Sequence, residues 1–100
     1  MIVRQHPSAS AELVEAMAWY ADRSPIAAEK FWLSLQSARK NIVAFPLAAP
    51  KADINTRRFV LRDYPYDLIY HVRDNEIFIV AYAHHKRRPG YWKARLRNNH

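Results

Sequence analysis

The 100-residue chain contains no cysteine. That removes disulfides, thiolate catalysis, zinc fingers and iron–sulfur ligation together, and it suits a reducing compartment. It contains one glycine, Gly90. A phosphate-cradling P-loop and a dinucleotide fingerprint each need several glycines, and a serine-hydrolase elbow needs two, so none of the three can be built. Long apolar runs are missing as well. Ile42 to Ala49 (broken by Pro46) and Ile77 to Ala83 fall far short of the roughly 20 residues a spanning helix needs. After Met1 the chain soon meets His6, Pro7, Glu12 and Glu15, which leaves no apolar signal core. A cytoplasmic protein with no membrane partner is expected.

Acidic residues are scarce. Nine Asp and Glu stand against sixteen Lys and Arg, for a net charge of +7 and a pI near 10.1. The excess is lopsided: residues 1–50 carry five basic and four acidic groups, residues 51–100 eleven and five. From His84 to Arg97 there are six cations (Lys86, Arg87, Arg88, Lys93, Arg95, Arg97) and no acid. Such asymmetry predicts an anionic partner. Arg outnumbers Lys eleven to five, which favours bidentate contacts over plain solubilising charge. Half the residues are hydrophobic and 13% aromatic, enough to fold one domain over residues 1–100.

Ile2 to Gln5 reads as a first strand ended by Pro7. Ser8 is a good N-cap for a helix in which Leu13, Ala16, Met17 and Tyr20 form a one-sided apolar stripe. Ser24-Pro25 ends that helix and starts the next, with Pro25 at the first helical position, where its missing N–H does no harm. Ala28, Phe31, Trp32, Leu35, Ala38, Arg39 and Ile42 keep the helical period until Phe45-Pro46. Together they predict an αα-hairpin over about 8–45. After an irregular connection the period changes to two. Arg57–Arg62, Asp67–Arg73 and Glu76–Ala83 read as strands, with a sheet over about 57–83 and Asp74-Asn75 as a two-residue turn. The predicted class is α+β: an antiparallel sheet in β-α-α-β-β-β order, packed on the hairpin, followed by a basic segment over 84–100.

The turn implies a register in which Arg73 faces Glu76, Val72 faces Ile77, Tyr70 faces Ile79 and Leu68 faces Ala81. Opposite residues share a face. Leu68, Tyr70, Val72, Ile77 and Ile79, with Phe59 and Leu61, then face the helices. The other face carries Arg58, Val60, Arg62, Ile69, His71, Arg73, Phe78, Val80 and Tyr82. No second helical layer remains to cover it, and a bare apolar–cationic face suits a binding partner.

Several groups could carry chemistry. Arg87, Arg88, Tyr91, Trp92, Lys93 and Arg95 could hold phosphates and stack on a base, or dock acidic side chains. Equally, they could be a solvated tail whose Tyr91 and Trp92 fold back on the sheet edge. His84 and His85 are adjacent on a strand and point to opposite faces, so no metal site is expected. His71, beside Arg58, Arg62 and Arg73, is placed for proton transfer to a phosphodiester; its plainer role is a half-buried ring on Phe78. Trp19, Tyr20, Phe31 and Trp32 read as hairpin core. Glu12, Glu15, Asp22 and Glu29 read as solvating charge on the outer helix faces. No cofactor is implied.

Taken in order, Trp19-Tyr20-Ala21-Asp22-Arg23-Ser24-Pro25, Arg57-Arg58-Phe59-Val60-Leu61, Tyr64-Pro65-Tyr66-Asp67-Leu68-Ile69-Tyr70, Ala83-His84 and Arg87-Arg88-Pro89-Gly90-Tyr91-Trp92 resemble the RelE/ParE superfamily of bacterial type II toxins. The resemblance covers nearly the whole chain. It implies a cognate antitoxin whose acidic, partly disordered C-terminal region wraps the toxin, and operator DNA bound only through the toxin–antitoxin complex. On that reading the contact face is Arg58, Val60, Arg62, Ile69, His71, Arg73, Phe78, Val80 and Tyr82, with Arg87, Arg88, Tyr91 and Trp92 from the tail.

The superfamily divides into two activities. The RelE branch cuts mRNA on the ribosome with cations at alternate positions of the second strand, an Arg early in the third, and a late cation or His plus a Tyr. Here Arg58 matches the first cation, but Val60 stands at the second and Asp67 at the third-strand position, where an anion would repel the scissile phosphate. A ribonuclease would have to work with Arg58, Arg62, His71, His85 and Tyr91. The ParE branch lacks that set, poisons DNA gyrase without catalysis of its own, and is more similar in its Arg-Arg-Pro-Gly-Tyr-Trp ending. The resemblance therefore implies a gyrase inhibitor first and a ribosome-dependent mRNA endonuclease second.

Overall fold

A computed structural model describes residues 1–97. The described elements are strand β1 (Ile2–Gln5), helices α1 (Pro7–Arg23) and α2 (Pro25–Ala44), strands β2 (Thr56–Val60), β3 (Tyr66–Arg73) and β4 (Glu76–His84), and a single helical turn, α3 (Ala94–Arg97). The α1–α2 junction is the one the Ser24-Pro25 pair dictates. Ser24 ends α1 in extended backbone, and its Oγ accepts the Ala27 N–H at 2.9 Å to cap α2. At the other end of α1 the cap is His6 rather than Ser8. Its Nδ1 accepts the Ser8 N–H at 3.0 Å, and Pro7 occupies the first helical turn.

The strands form one sheet in the order β1-β4-β3-β2. β2, β3 and β4 are antiparallel, as the alternation predicts, while β1 lies parallel on β4, with Ile2 beside Glu76 and Gln5 beside Ile79. Asp74 at φ 54° makes the β3–β4 turn, a conformation that Asp tolerates better than most residues. The connection between α2 and β2 is tied down rather than loose. Tyr70 Oη donates to the Pro46 carbonyl at 2.7 Å, Arg57 Nη1 to that of Ala49 at 2.8 Å, and the Arg58 N–H to that of Pro50 at 2.9 Å.

The helix-facing side of the sheet carries the larger core. Phe31, Leu35, Ala38 and Ile42 of α2, with Ala9 and Ala16 of α1, bury against Leu61, Leu68, Tyr70, Ile77 and Ile79. Of the aromatic quartet expected there, Phe31 is buried and Tyr20 stacks on it at 4.5 Å. Trp19 and Trp32 are 52% and 40% exposed; they sit on the outside of the hairpin.

The expected register holds from the turn back to Tyr70 opposite Ile79, then slips by one. Ile69 pairs with Ala81 and Leu68 with Tyr82, leaving Val80 as a bulge. One extra residue in β4 turns the side chains beyond it over. Tyr82 therefore belongs to the helix-side core, its hydroxyl donating to Gln5 Oε1 at 2.8 Å. Val80 and Ala81 join Ile69, Ala83 and Trp92 in a second core on the opposite side, with Tyr91 and Leu96 packed against it. That side is not bare. Ile69, Val80 and Tyr82 are buried and cannot serve as exposed contacts. The cover is the C-terminal segment, with Trp92 only 5% exposed. Arg58 and Arg62 remain exposed. No helix among the described residues is long and apolar enough to cross a membrane.

Candidate functional site

Where the C-terminal segment folds back it leaves a cleft of about 660 Å³. Arg58 and Val60 of β2, Asp67 of β3 and the end of β4 line it on the sheet side, Lys51 to Asp53 stand at one edge, and Arg87 to Trp92 form the facing wall. The alternation of β2 puts Arg58 and Val60 on this face while Phe59 packs on the core of the other. Gly90 at φ 75° lets the wall turn after Pro89, a backbone state that glycine adopts without strain.

The electrostatics are uneven. Lys51, Arg58, Arg87 and Arg88 line the cleft, and its two carboxylates already have partners. Asp53 bonds Lys93 at 3.0 Å. Asp67 accepts from His85 Nε2 at 2.8 Å and lies 3.9 Å from Arg58 Nε. The free charge in the cleft is therefore positive. The Arg87 guanidinium lies 3.9 Å over the Tyr91 ring, which holds it without neutralising it.

Behind the wall is a network centred on Glu12, which the sequence reading placed in solvent. Glu12 of α1 accepts both Arg95 Nη1 and Nη2 at 2.9 Å, Tyr91 Oη at 2.5 Å and the Tyr82 N–H at 3.0 Å. Arg95 Nη1 also donates to the Val80 carbonyl at 3.0 Å. Both side chains of the pair are largely buried. Burial, then the hydrogen bond and charge of Glu12, hold the Tyr91 phenol well above its usual range. Tyr91 is a neutral donor there and not a poised acid. Burial disfavours charge on Arg95, but the bonds and charge of Glu12 override it and raise its pKa. Glu12 could have been found from its spacing: it falls three residues after Ala9 and four before Ala16, both buried. A carboxylate on an inward stripe demands a buried partner.

Of the expected contact residues, the cleft brings together Arg58, Val60, Arg87, Arg88, Tyr91 and Trp92, along with His85. It does not include Arg62, which stands exposed beyond β2. His71 and Arg73 lie at the far end of β3, where His71 Nδ1 is 3.1 Å from the Asn55 carbonyl. Phe78 is half-buried, edge-on to His6 at 6.3 Å rather than stacked with His71. The ribonuclease set is therefore split: His71 and Arg62 do not line the cleft that holds Arg58 and His85, both of which Asp67 engages. Missed by the sequence reading were Lys51 at the edge, the Asp53–Lys93 bridge and the Glu12–Arg95 pair. Burial lowers the His84 pKa, with Lys86 and His85 adding to the effect. Among the described residues no three His, Asp or Glu side chains are grouped to hold a metal ion.

The profile of the family described as "ParE toxin of type II toxin-antitoxin system, parDE" matches residues 3–89. No curated protein matches the chain. A solved structure described as the chromosomal ParDE TA system from P. aeruginosa superposes with a TM-score of 0.62 at 21% identity, over 84% of this chain and 95% of that one. At that identity the likeness is one of fold.

Proposed function

The chain belongs to the ParE toxin family of type II toxin–antitoxin systems, and from that premise we propose that, once free of its cognate antitoxin, it inhibits DNA gyrase without catalysis of its own. Asp67 carries the reading. The ribonuclease branch that the chain resembles carries an Arg at that position, where a cation stabilises the phosphorane; here a carboxylate stands there and engages His85 and Arg58. Tyr91, the remaining candidate acid, spends its proton on Glu12. What is left is a cationic cleft with aromatic side chains, equipped to bind rather than to cleave.

The antitoxin that neutralises it is acidic, because Lys51, Arg87 and Arg88 line the cleft without a carboxylate partner there. The toxin acts in the cytoplasm, and operator DNA is bound only through the toxin–antitoxin complex. Purified protein added to a gyrase supercoiling reaction should inhibit it at micromolar concentration. A normally folded protein that leaves supercoiling untouched overturns the reading. Translation-dependent mRNA cleavage, lost in Arg58→Ala and Tyr91→Phe, would establish the endonuclease instead.

A further inference from the structure

The cleft wall is built from a segment with little regular structure of its own, and what holds it lies outside the cleft. β1 ends opposite Ile79, so among the described residues no strand flanks the stretch of β4 beyond it on that side. There the Tyr82 N–H donates to Glu12 and the Val80 carbonyl accepts from Arg95. A helix carboxylate and a tail guanidinium thus occupy the place of a neighbouring strand, and their bidentate pairing joins α1, β4 and α3. Glu12 also accepts the Tyr91 hydroxyl, and the Arg87 guanidinium lies over that ring. A continuous chain of contacts runs from Glu12 through Tyr91 to a cation in the cleft.

We infer that Glu12, which does not line the cleft, is the positioning residue for its target-binding wall: it fixes Arg95 and Tyr91, and through them Arg87 and Trp92. The inference rests on the gyrase reading only for its functional consequence; the positioning itself is a property of the fold. Removing the carboxylate leaves Arg95 buried without its counter-charge. The wall then detaches from the second core, and Arg87 loses its fixed place.

Glu12→Gln in the full chain tests this. It should require about tenfold more protein for half-inhibition of gyrase, at a temperature where circular dichroism shows it folded. Its amide exchange should quicken at residues 80–82 and 91–97 and stay unchanged at residues 68–72, a locality that general destabilisation would not give. Wild-type potency, or exchange that quickens evenly through the sheet, overturns the inference. Should Glu12→Gln not fold, Arg95→Lys keeps the charge and loses the fork. It should give a smaller loss of potency with the same local exchange pattern, and its failure to do either overturns the inference as well. If the wild-type protein does not inhibit gyrase, the functional reading fails, and the exchange pattern alone decides the positioning.

Discussion

The two faces of the sheet are sealed by different physics. On one side two long helices press Phe31, Leu35, Ala38 and Ile42 onto Leu68, Tyr70, Ile77 and Ile79, and the seal is hydrophobic area. On the other, a short segment covers Ile69, Val80 and Ala81 with Trp92, fastened by the Glu12–Arg95 pair. Apolar burial is non-directional and shared among many side chains; an ion pair with shared hydrogen bonds is directional and fails when one partner is lost. The helix side therefore serves stability. The tail side sets where cations stand, and its small core makes it the side that opens at lower free energy.

Phe31→Ala should have the largest effect, because Phe31 is fully buried and stacked with Tyr20. A loss of about 4 kcal/mol in denaturant unfolding is expected, with every probe of the fold moving together. Glu12→Ala should lose about 3 kcal/mol, with Trp92 fluorescence changing before far-UV circular dichroism. Coincident transitions in that variant would show the two seals to be one. Alkaline pH separates them more finely. Tyr91 has a folded pKa raised above its unfolded value, so its contribution is complete below about pH 10 and is lost as pH climbs through the folded value. Burial raises Tyr70 and Tyr82 on the helix side in the same direction. Wild type should weaken above about pH 10, and Tyr91→Phe should weaken less; the difference between the two curves is the tail's share. Smallest of all, Arg4→Ala removes a mostly exposed bridge to Glu76 and should change stability by less than about 1 kcal/mol.

The parts of this architecture that follow local rules were legible in the sequence. Ser24-Pro25 placed the helix junction, Asp74-Asn75 placed a turn, and strand alternation put Leu68 and Tyr70 inward as observed. The bulge at Val80 was not legible, since one inserted residue leaves the apolar run Ile77 to Ala83 looking continuous while it turns Tyr82 to the other face. The burial of the tail was only half visible: Tyr91 and Trp92 could fold back on the sheet edge, whereas the packing of Leu96 beside them gave no sign in the sequence. The cleft needed both facts. Its two walls, β2 and the Arg87–Trp92 segment, lie far apart in the chain, and no local pattern links them. Arg58 and Arg87 were legible as cations, whereas Asp67 facing His85 is a cross-strand juxtaposition that only the fold reveals.

The sharpest measurement compares gyrase inhibition by the wild-type toxin with that of Arg87→Glu/Arg88→Glu, two exposed changes in the cleft wall. The doubly reversed toxin should keep its thermal midpoint and need at least about tenfold more protein for half-inhibition. Equal potency from a folded double variant would show that the basic wall is not where the target binds.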